Sequence, residues 1–192
     1  MSAGPGVETS FFEALYREHE DPWGFASRSY ESHRYDRMLA ALGARRFECA
    51  LEVGCSIGVF TERLVPRCAI LNALDASPTA VQRARDRLTA HPGARVVRAR
   101  VPDELPEGPF DLVVCADVLY YLSADALAGL LPRLEASLTP GGMLLAAHWR
   151  GPTAPAPLTG DEVHEQLLGA TALHHSLDGS ERRFRLDLLE RR

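Results

Sequence analysis

No apolar run in this sequence reaches the ~18 residues that a membrane span needs. No basic stretch followed by an apolar core opens the chain, so no signal peptide is expected. Positive charge is not in surplus either. The formal charge is −5, which argues against sequence-independent nucleic-acid binding, since that runs on a basic surface. Cysteine is sparse: Cys49, Cys55, Cys68 and Cys115 include no C-x-x-C pair, and no histidine falls at zinc-site spacing from them. Three of the four lie in apolar, strand-like runs, as reduced core thiols do. No acid cluster suggests magnesium, and no internal repeat is visible. These absences leave a cytoplasmic protein with metal-independent chemistry as the expectation, with no membrane and no nucleic acid among its partners.

What is present suits one domain over residues 1–192, with lid helices over 1–45 and a core over 46–192. Residues 1 to about 9 are small, polar and Gly/Pro-containing, and are expected to fray. "SFFEALYREHE" reads as a helix with Ser10 as N-cap and Glu13 three positions on, a capping-box spacing. After the break "DPWGF", "SRSYESHRYDRMLAALG" reads as a second amphipathic helix ending near Gly43. Strand and helix then alternate. "CALEVGC", "CAILNALDA", "ARVVRARV", "FDLVVCADV" and "GGMLLAAHW" are apolar strands. "GVFTERLVPR", "SPTAVQRARDRLTAH" and "SADALAGLLPRLEASL" are helices, the second capped by Ser77 with Pro78 in first place. Pro132 is expected to kink the third or to mark a boundary. A Pro-rich loop, the helix "GDEVHEQLLGA" and the strands "TALHHSL" and "RRFRLDLLE" close the chain. The pattern predicts an α/β fold: a doubly wound, mostly parallel seven-stranded sheet, Rossmann-like, with an antiparallel last strand. Ligands in such sheets bind beyond the strands' carboxyl ends, where strand order reverses.

The stretch "ALEVGCSIGVFTERL" joins the first core strand to its helix. A dinucleotide fingerprint needs G-x-G-x-x-G, but here Ser56 occupies the second glycine and Val59 the third, leaving Gly54 and Gly58. The second glycine lets backbone approach a pyrophosphate, and a serine Cβ would crowd one. Glu52, two residues before Gly54, can hold the turn's amides or a ligand cation and opposes a pyrophosphate. The second strand ends on Asp75, 21 positions after Gly54, where a carboxylate can accept from both hydroxyls of a ribose. A nucleoside without phosphates fits this set better than a nicotinamide dinucleotide.

In this order the motifs resemble the class I S-adenosylmethionine-dependent methyltransferases: "LEVGCSIG", "LDAS", "FDLVVCADVLYYL" and "LTPGGMLL". A narrower similarity, carried by "DPWGF", "SYESHRY", "GCSIGVFTERL", "VLYYL", "HWR", "LTGDEVHEQLL" and "LDLLER", is to the nodulation N-methyltransferases, which act on the amino sugar of a chitooligosaccharide. The resemblance implies S-adenosyl-L-methionine as cofactor, with Glu52, Gly54, Cys55, Ser56, Gly58, Asp75, Ala76 and Asp117 at its site. It also implies that Trp23 and Arg34 hold the methionine carboxylate, a task that suits a guanidinium. One departure is "RARVPDEL": Arg100 and Val101 stand where many relatives carry an acid near the adenine amino group. Adenine is therefore expected against backbone near Val101, with Asp103 as a substitute only if its loop bends back.

Methyl transfer is a displacement at carbon, so the protein mainly supplies proximity, alignment and exclusion of water. An amine acceptor must lose its proton first, and a carboxylate or imidazole can take it. Asp117, at the end of the fourth strand, and His148, at the end of the fifth, are the candidate bases, with Tyr120 as a further catalytic candidate. Tyr120, Tyr121, Trp149 and Arg150 are candidates for the acceptor, a small molecule or an oligosaccharide; Arg150 could instead meet an acid. Each has a structural alternative: a capped loop for Asp117, a core position for His148 and the tyrosines, and packing for Trp149. His174 and His175 are adjacent in a strand and face opposite sides, so they cannot share a metal. The rival readings are an O-methyltransferase of a secondary metabolite, a non-catalytic partner protein on the same fold, and a nicotinamide oxidoreductase.

Overall fold

The computed structural model describes residues 6–192. The expectations about residues 1–5, a frayed start and no leader, lie outside the described residues. Residues 6–8 are held: the Val7 amide donates to Tyr121 O at 2.8 Å.

The elements run α1 (Thr9–Glu18), α2 (Ser29–Ala41), β1 (Phe47–Val53), α3 (Val59–Leu64), β2 (Cys68–Asp75), α4 (Pro78–Arg87), β3 (Ala94–Arg98) and β4 (Phe110–Ala116). Then follow a 3-10 turn (Leu119–Tyr121), α5 (Ala124–Ser137), β5 (Leu138–Trp149), α6 (Gly160–Ala170), β6 (His174–Asp178) and β7 (Phe184–Glu190). The seven strands form one sheet in the order β3-β2-β1-β4-β5-β7-β6. Strands β1 to β5 pair in parallel, and β7 pairs antiparallel to both β5 and β6. The expected antiparallel last strand is present. It inserts between β5 and the edge strand β6, which chain order alone does not disclose. Strand order reverses between β1 and β4, placing the ligand crevice at the end of those two strands.

Strand parity sorts the core into two layers. Val113, Cys115, Leu144 and Ala146 meet α5 and α6 on one face, whereas Leu112, Val114, Leu145 and Ala147 meet α2 and α3 on the other. The same alternation settles two polar positions. On β1, Leu51 and Val53 belong to the first face, so Glu52 turns to the second, beside Phe60 of α3. On β5, Leu144 and Ala146 share a face with His148, which lies beneath α6.

Helix starts follow local chemistry in most places. Ser77 caps α4, its Oγ accepting from Ala80 N at 3.1 Å. Thr159 and Glu162 form a complete capping box on α6. The box expected at Ser10 and Glu13 is absent. Helix α1 begins at Thr9 without a side-chain cap, and Glu13 reaches across to α4, accepting from Ser77 Oγ and Thr79 Oγ1 at 2.7 Å each and from Thr79 N at 3.2 Å. Burial raises the pKa of Glu13, but these hydrogen bonds outweigh it and leave the carboxyl below its ordinary range. Helix α5 continues through Pro132, which marks no boundary. All four cysteines are free. Among the described residues no helix is long and apolar enough to cross a membrane, and no group of His, Cys, Asp or Glu is arranged to hold a metal.

Candidate active site

A cavity of about 860 Å³ opens beyond the carboxyl ends of β1, β2 and β4, roofed by α1, the 23–34 segment and the 152–154 loop. The turn after β1 forms its floor. Gly54 adopts φ +77°, and a Cβ there would come within 2.7 Å of Val118, so only glycine fits this close approach. Among the described residues, Ser56, with φ +53°, and Asp117, with φ +50°, are the two non-glycine positions on the left-handed side. Such conformations persist only where the surroundings hold them. Ser56 is held from two sides: its amide donates to Asp75 Oδ2 at 2.9 Å, and Tyr16 of α1 donates its hydroxyl to Ser56 Oγ at 2.6 Å. Asp75 Oδ1 accepts from Ser77 N at 2.9 Å. Burial pushes the Asp75 carboxyl up to about 6 despite those amides.

Four of the turn's backbone donors serve the fold. Gly54 N and Cys55 N both reach Leu74 O at 2.8 Å, Ser56 N reaches Asp75, and Gly58 N reaches Cys55 O at 2.9 Å. A phosphate cradle needs such amides aimed at the ligand; these four are not.

Asp117 and Arg34 form the opposite wall. The two carboxylate oxygens of Asp117 accept from Trp149 N at 2.8 Å and from Arg34 Nη1. Arg34 is 1% exposed, and its Nη2 donates to Glu31 Oε2 at 2.6 Å. The guanidinium thus bridges two acids, and burial opposed by those carboxylates leaves its pKa raised. Glu31 is buried and lines the cavity, and only its Oε2 is engaged in a hydrogen bond. Burial raises its pKa against the pull of Arg34. No sequence pattern pointed to Glu31; the signal available was its position one helical turn before Arg34.

Aromatic rings complete the lining. Trp23 stacks on Phe25 and meets Tyr16 edge-on, Tyr120 and Tyr121 meet edge-on at 4.7 Å, and Tyr30 meets Trp149 edge-on at 5.3 Å. Of the positions singled out from sequence, Trp23, Arg34, Gly54, Ser56, Asp75, Ala76, Val101, Asp117, Tyr120, Tyr121 and Trp149 converge here, as does Asp103.

Five positions do not. His148 is fully buried beneath α6 with both ring nitrogens engaged, by Leu119 N at 3.2 Å and His164 at 3.0 Å, so it does not reach the cavity as a base. Arg150 pairs with Asp161 at 3.1 Å, the acid alternative, and leaves the acceptor mouth to Trp149. Glu52 faces α3 through strand parity. It holds none of the turn's amides, and burial, partly offset by Thr61, raises it to about 7. Cys55 is buried against α4. Gly58, at φ +79°, packs on Ala84, where a Cβ would lie 3.2 Å from the Ala84 backbone.

With this geometry in hand, similarity to known proteins is informative. The sequence model of the family described as nodulation protein S (NodS) matches residues 13–150. Nodulation protein S of Sinorhizobium fredii is 36% identical over 143 residues, covering 72% of this chain and 66% of that relative, just under two thirds of its length. A candidate methyltransferase from Pseudomonas syringae is 40% identical in a crystal structure that superposes with a TM-score of 0.76, covering 85% of this chain and 100% of that one. The N-methyltransferase NodS of Bradyrhizobium japonicum WM9, solved in complex with S-adenosyl-l-homocysteine, is 26% identical with a TM-score of 0.82, covering 94% of this chain and 97% of that one.

Proposed function

The chain belongs to the nodulation protein S family, and we propose that it is an S-adenosylmethionine-dependent methyltransferase acting on an amine of an amino sugar or chitooligosaccharide. The observation that carries this reading is the internal use of the turn's amides beside Asp75. The turn offers a carboxylate to a ribose and no cradle to a pyrophosphate. The cavity of about 860 Å³ accommodates a nucleoside together with part of an acceptor. The related NodS bound to S-adenosyl-l-homocysteine supports the same choice. Single-domain organisation and a cytoplasmic setting belong to this proposal. The four free thiols and the acidic charge balance agree with them.

When bound, the cofactor supplies a sulfonium methyl open to in-line displacement. The chain's own residues bind, align and dry the site. Asp75 accepts from ribose hydroxyls with the lone pairs that Ser56 and Ser77 leave free. Gly54 admits the nucleoside close to the backbone, and Val101, Ala76 and Asp103 line the base end. Trp23 and Arg34 line the methionine end, with the guanidinium shared between Asp117 and Glu31. Asp117, locked by Trp149 N and Arg34, fixes the guanidinium and the loop after β4. Glu31, with one oxygen free and its pKa raised, takes the proton of an incoming ammonium so that the nitrogen lone pair is available for attack. Tyr120, Tyr121 and Trp149 wall the acceptor mouth, where an aromatic face suits a sugar ring.

The test is calorimetry with S-adenosyl-l-homocysteine, followed by incubation with labelled donor and a panel of deacetylated chitooligosaccharides and hydroxylated metabolites, read by product mass and fragmentation. Binding with mass gain at an amine is the expected result. Methylation confined to hydroxyls would replace the amine reading with an O-methyltransferase, and no uptake of the nucleoside would remove the enzyme reading altogether.

A further inference from the structure

Behind the cavity, three buried polar side chains form a line that the proposed chemistry does not use. His148 Nε2 accepts from the Leu119 amide at 3.2 Å. His148 Nδ1 lies 3.0 Å from His164 Nε2, and His164 Nδ1 meets Asp187 Oδ2. Asp187 Oδ1 meets His175 Nε2 at 2.7 Å, and Arg185 Nε lies 3.3 Å from Oδ2. His148, His164 and Asp187 are all 0% exposed.

The proton positions follow from the ends. An amide N–H only donates, so His148 Nε2 carries no proton. A neutral His148 then carries its proton on Nδ1 and gives it to His164 Nε2. His164 in turn carries its proton on Nδ1 and gives it to the Asp187 carboxylate. Burial holds both imidazoles below their ordinary range, for His164 against the pull of Asp187, so the neutral forms are the native ones. Every donor has one acceptor, in one direction. The far end is a backbone amide, which does not release its proton, so the line cannot carry a proton to or from the cavity.

We infer that His148, His164 and Asp187 are positioning residues that fasten the Leu119–Tyr121 turn to the reversed strand β7. The turn carries Tyr120 and Tyr121 into the cavity, and the Tyr120 ring sits edge-on to His148 at 5.3 Å. Asp187 pairs across the sheet with Ala146 of β5 and lies on the same face as His148, so β7 reaches the acceptor wall through two imidazoles. The groups facing the relay are Arg34 from α2, Tyr120 from the turn, Asp161 and Arg185 around His164, and His175 and Asp178 around Asp187. The consequence for acceptor binding rests on the methyltransferase reading; the fastening of the turn does not.

Two variants separate the roles. In His148→Gln the side-chain oxygen falls near the Nε2 position and retains the acceptor for Leu119. In His148→Asn the amide falls near Nδ1 and leaves Leu119 without one. Amide hydrogen exchange by NMR is the primary readout. The Leu119 amide is expected to exchange at least tenfold faster in His148→Asn than in wild type, with protection recovered in His148→Gln. Equal exchange in all three proteins overturns the inference. The second readout is kinetic, with S-adenosylmethionine and the deacetylated chitooligosaccharide that turns over. His148→Asn is expected to raise the acceptor KM about tenfold with a smaller change in kcat, and His148→Gln to rescue it, while affinity for S-adenosyl-l-homocysteine stays within twofold. Equal loss of kcat in both variants, with folding and nucleoside binding intact, makes His148 a base and overturns the inference. If wild type binds no S-adenosyl-l-homocysteine, the methyltransferase reading fails instead, and hydrogen exchange still decides the relay.

Discussion

The hydroxyl of Tyr16 donates to Ser56 Oγ at 2.6 Å, joining the first helix to a turn residue 40 positions along the chain. Ser56 holds a left-handed backbone, and this bond is one of two that keep it there. Tyr16→Phe removes a single buried hydrogen bond, a loss of about 1 kcal/mol. Calorimetry with S-adenosyl-l-homocysteine is expected to show roughly fivefold weaker binding, with the urea midpoint slightly reduced. Unchanged affinity and midpoint would mean that α1 does not steady the turn.

Gly54 and Gly141 share nearly the same backbone, φ +77° and φ +75°, but only Gly54 has a neighbour in the way of a Cβ. Alanine at Gly141 should therefore cost about 1–2 kcal/mol for the left-handed conformation alone. Alanine at Gly54 adds the collision with Val118, bringing the loss to about 2–5 kcal/mol, and displaces the floor of the cavity. Thermal denaturation of the two variants isolates the difference, and equal midpoints would contradict it.

Arg34→Ala leaves Glu31 and Asp117 facing each other without their cation. Removing one partner of a buried ion pair costs about 3–5 kcal/mol, so the variant should be destabilised as well as weak in nucleoside binding, rather than impaired in binding alone. Burial raises the Glu31 pKa, so acidification neutralises this carboxyl and relieves the orphaned charge. The stability deficit should shrink between pH 8 and pH 5, as followed by urea titration; a deficit that grows on acidification would refute the arrangement.

Glu52 is buried with Oε2 unpartnered, and its carboxyl rises from 4.5 to about 7. Between those values the native chain binds a proton that the unfolded chain has lost, so this group's contribution falls as pH rises through the window and is fully lost above 7. Glu52→Gln abolishes the dependence. It should stabilise the protein by up to about 3 kcal/mol at pH 8, with the gain fading towards pH 4.5. A variant no more stable than wild type at pH 8 would show that Glu52 is ionised at no cost.

The edge of the cavity was legible because its signals are local. Gly54, Asp75 and Asp117 stand at strand ends, and a strand end can be read from where an apolar run stops. The cap at Ser77 is equally local. Glu13 was misplaced because its partners lie 64 and 66 positions away, beyond any capping pattern. His148 was misread for a different reason: being at a strand's end suggested exposure, whereas strand parity and the later arrival of α6 decide which face it takes. The insertion of β7 beside β5 had no local signature, and it brings Asp187 to the buried histidines. The capping box at Thr159 and Glu162 has a local signature, "TGDE" ahead of an apolar run.

Helix α1 is bolted down at two places, by Glu13 onto the start of α4 and by Tyr16 onto Ser56. A nucleoside seated beneath it has no path outward on that side while those bolts hold. Trp149 and the 152–154 loop line another side of the cavity, the side proposed for the acceptor. Under the methyltransferase reading, a donor seated beneath α1 has to enter before an acceptor fills the Trp149 side, and the spent nucleoside then departs last.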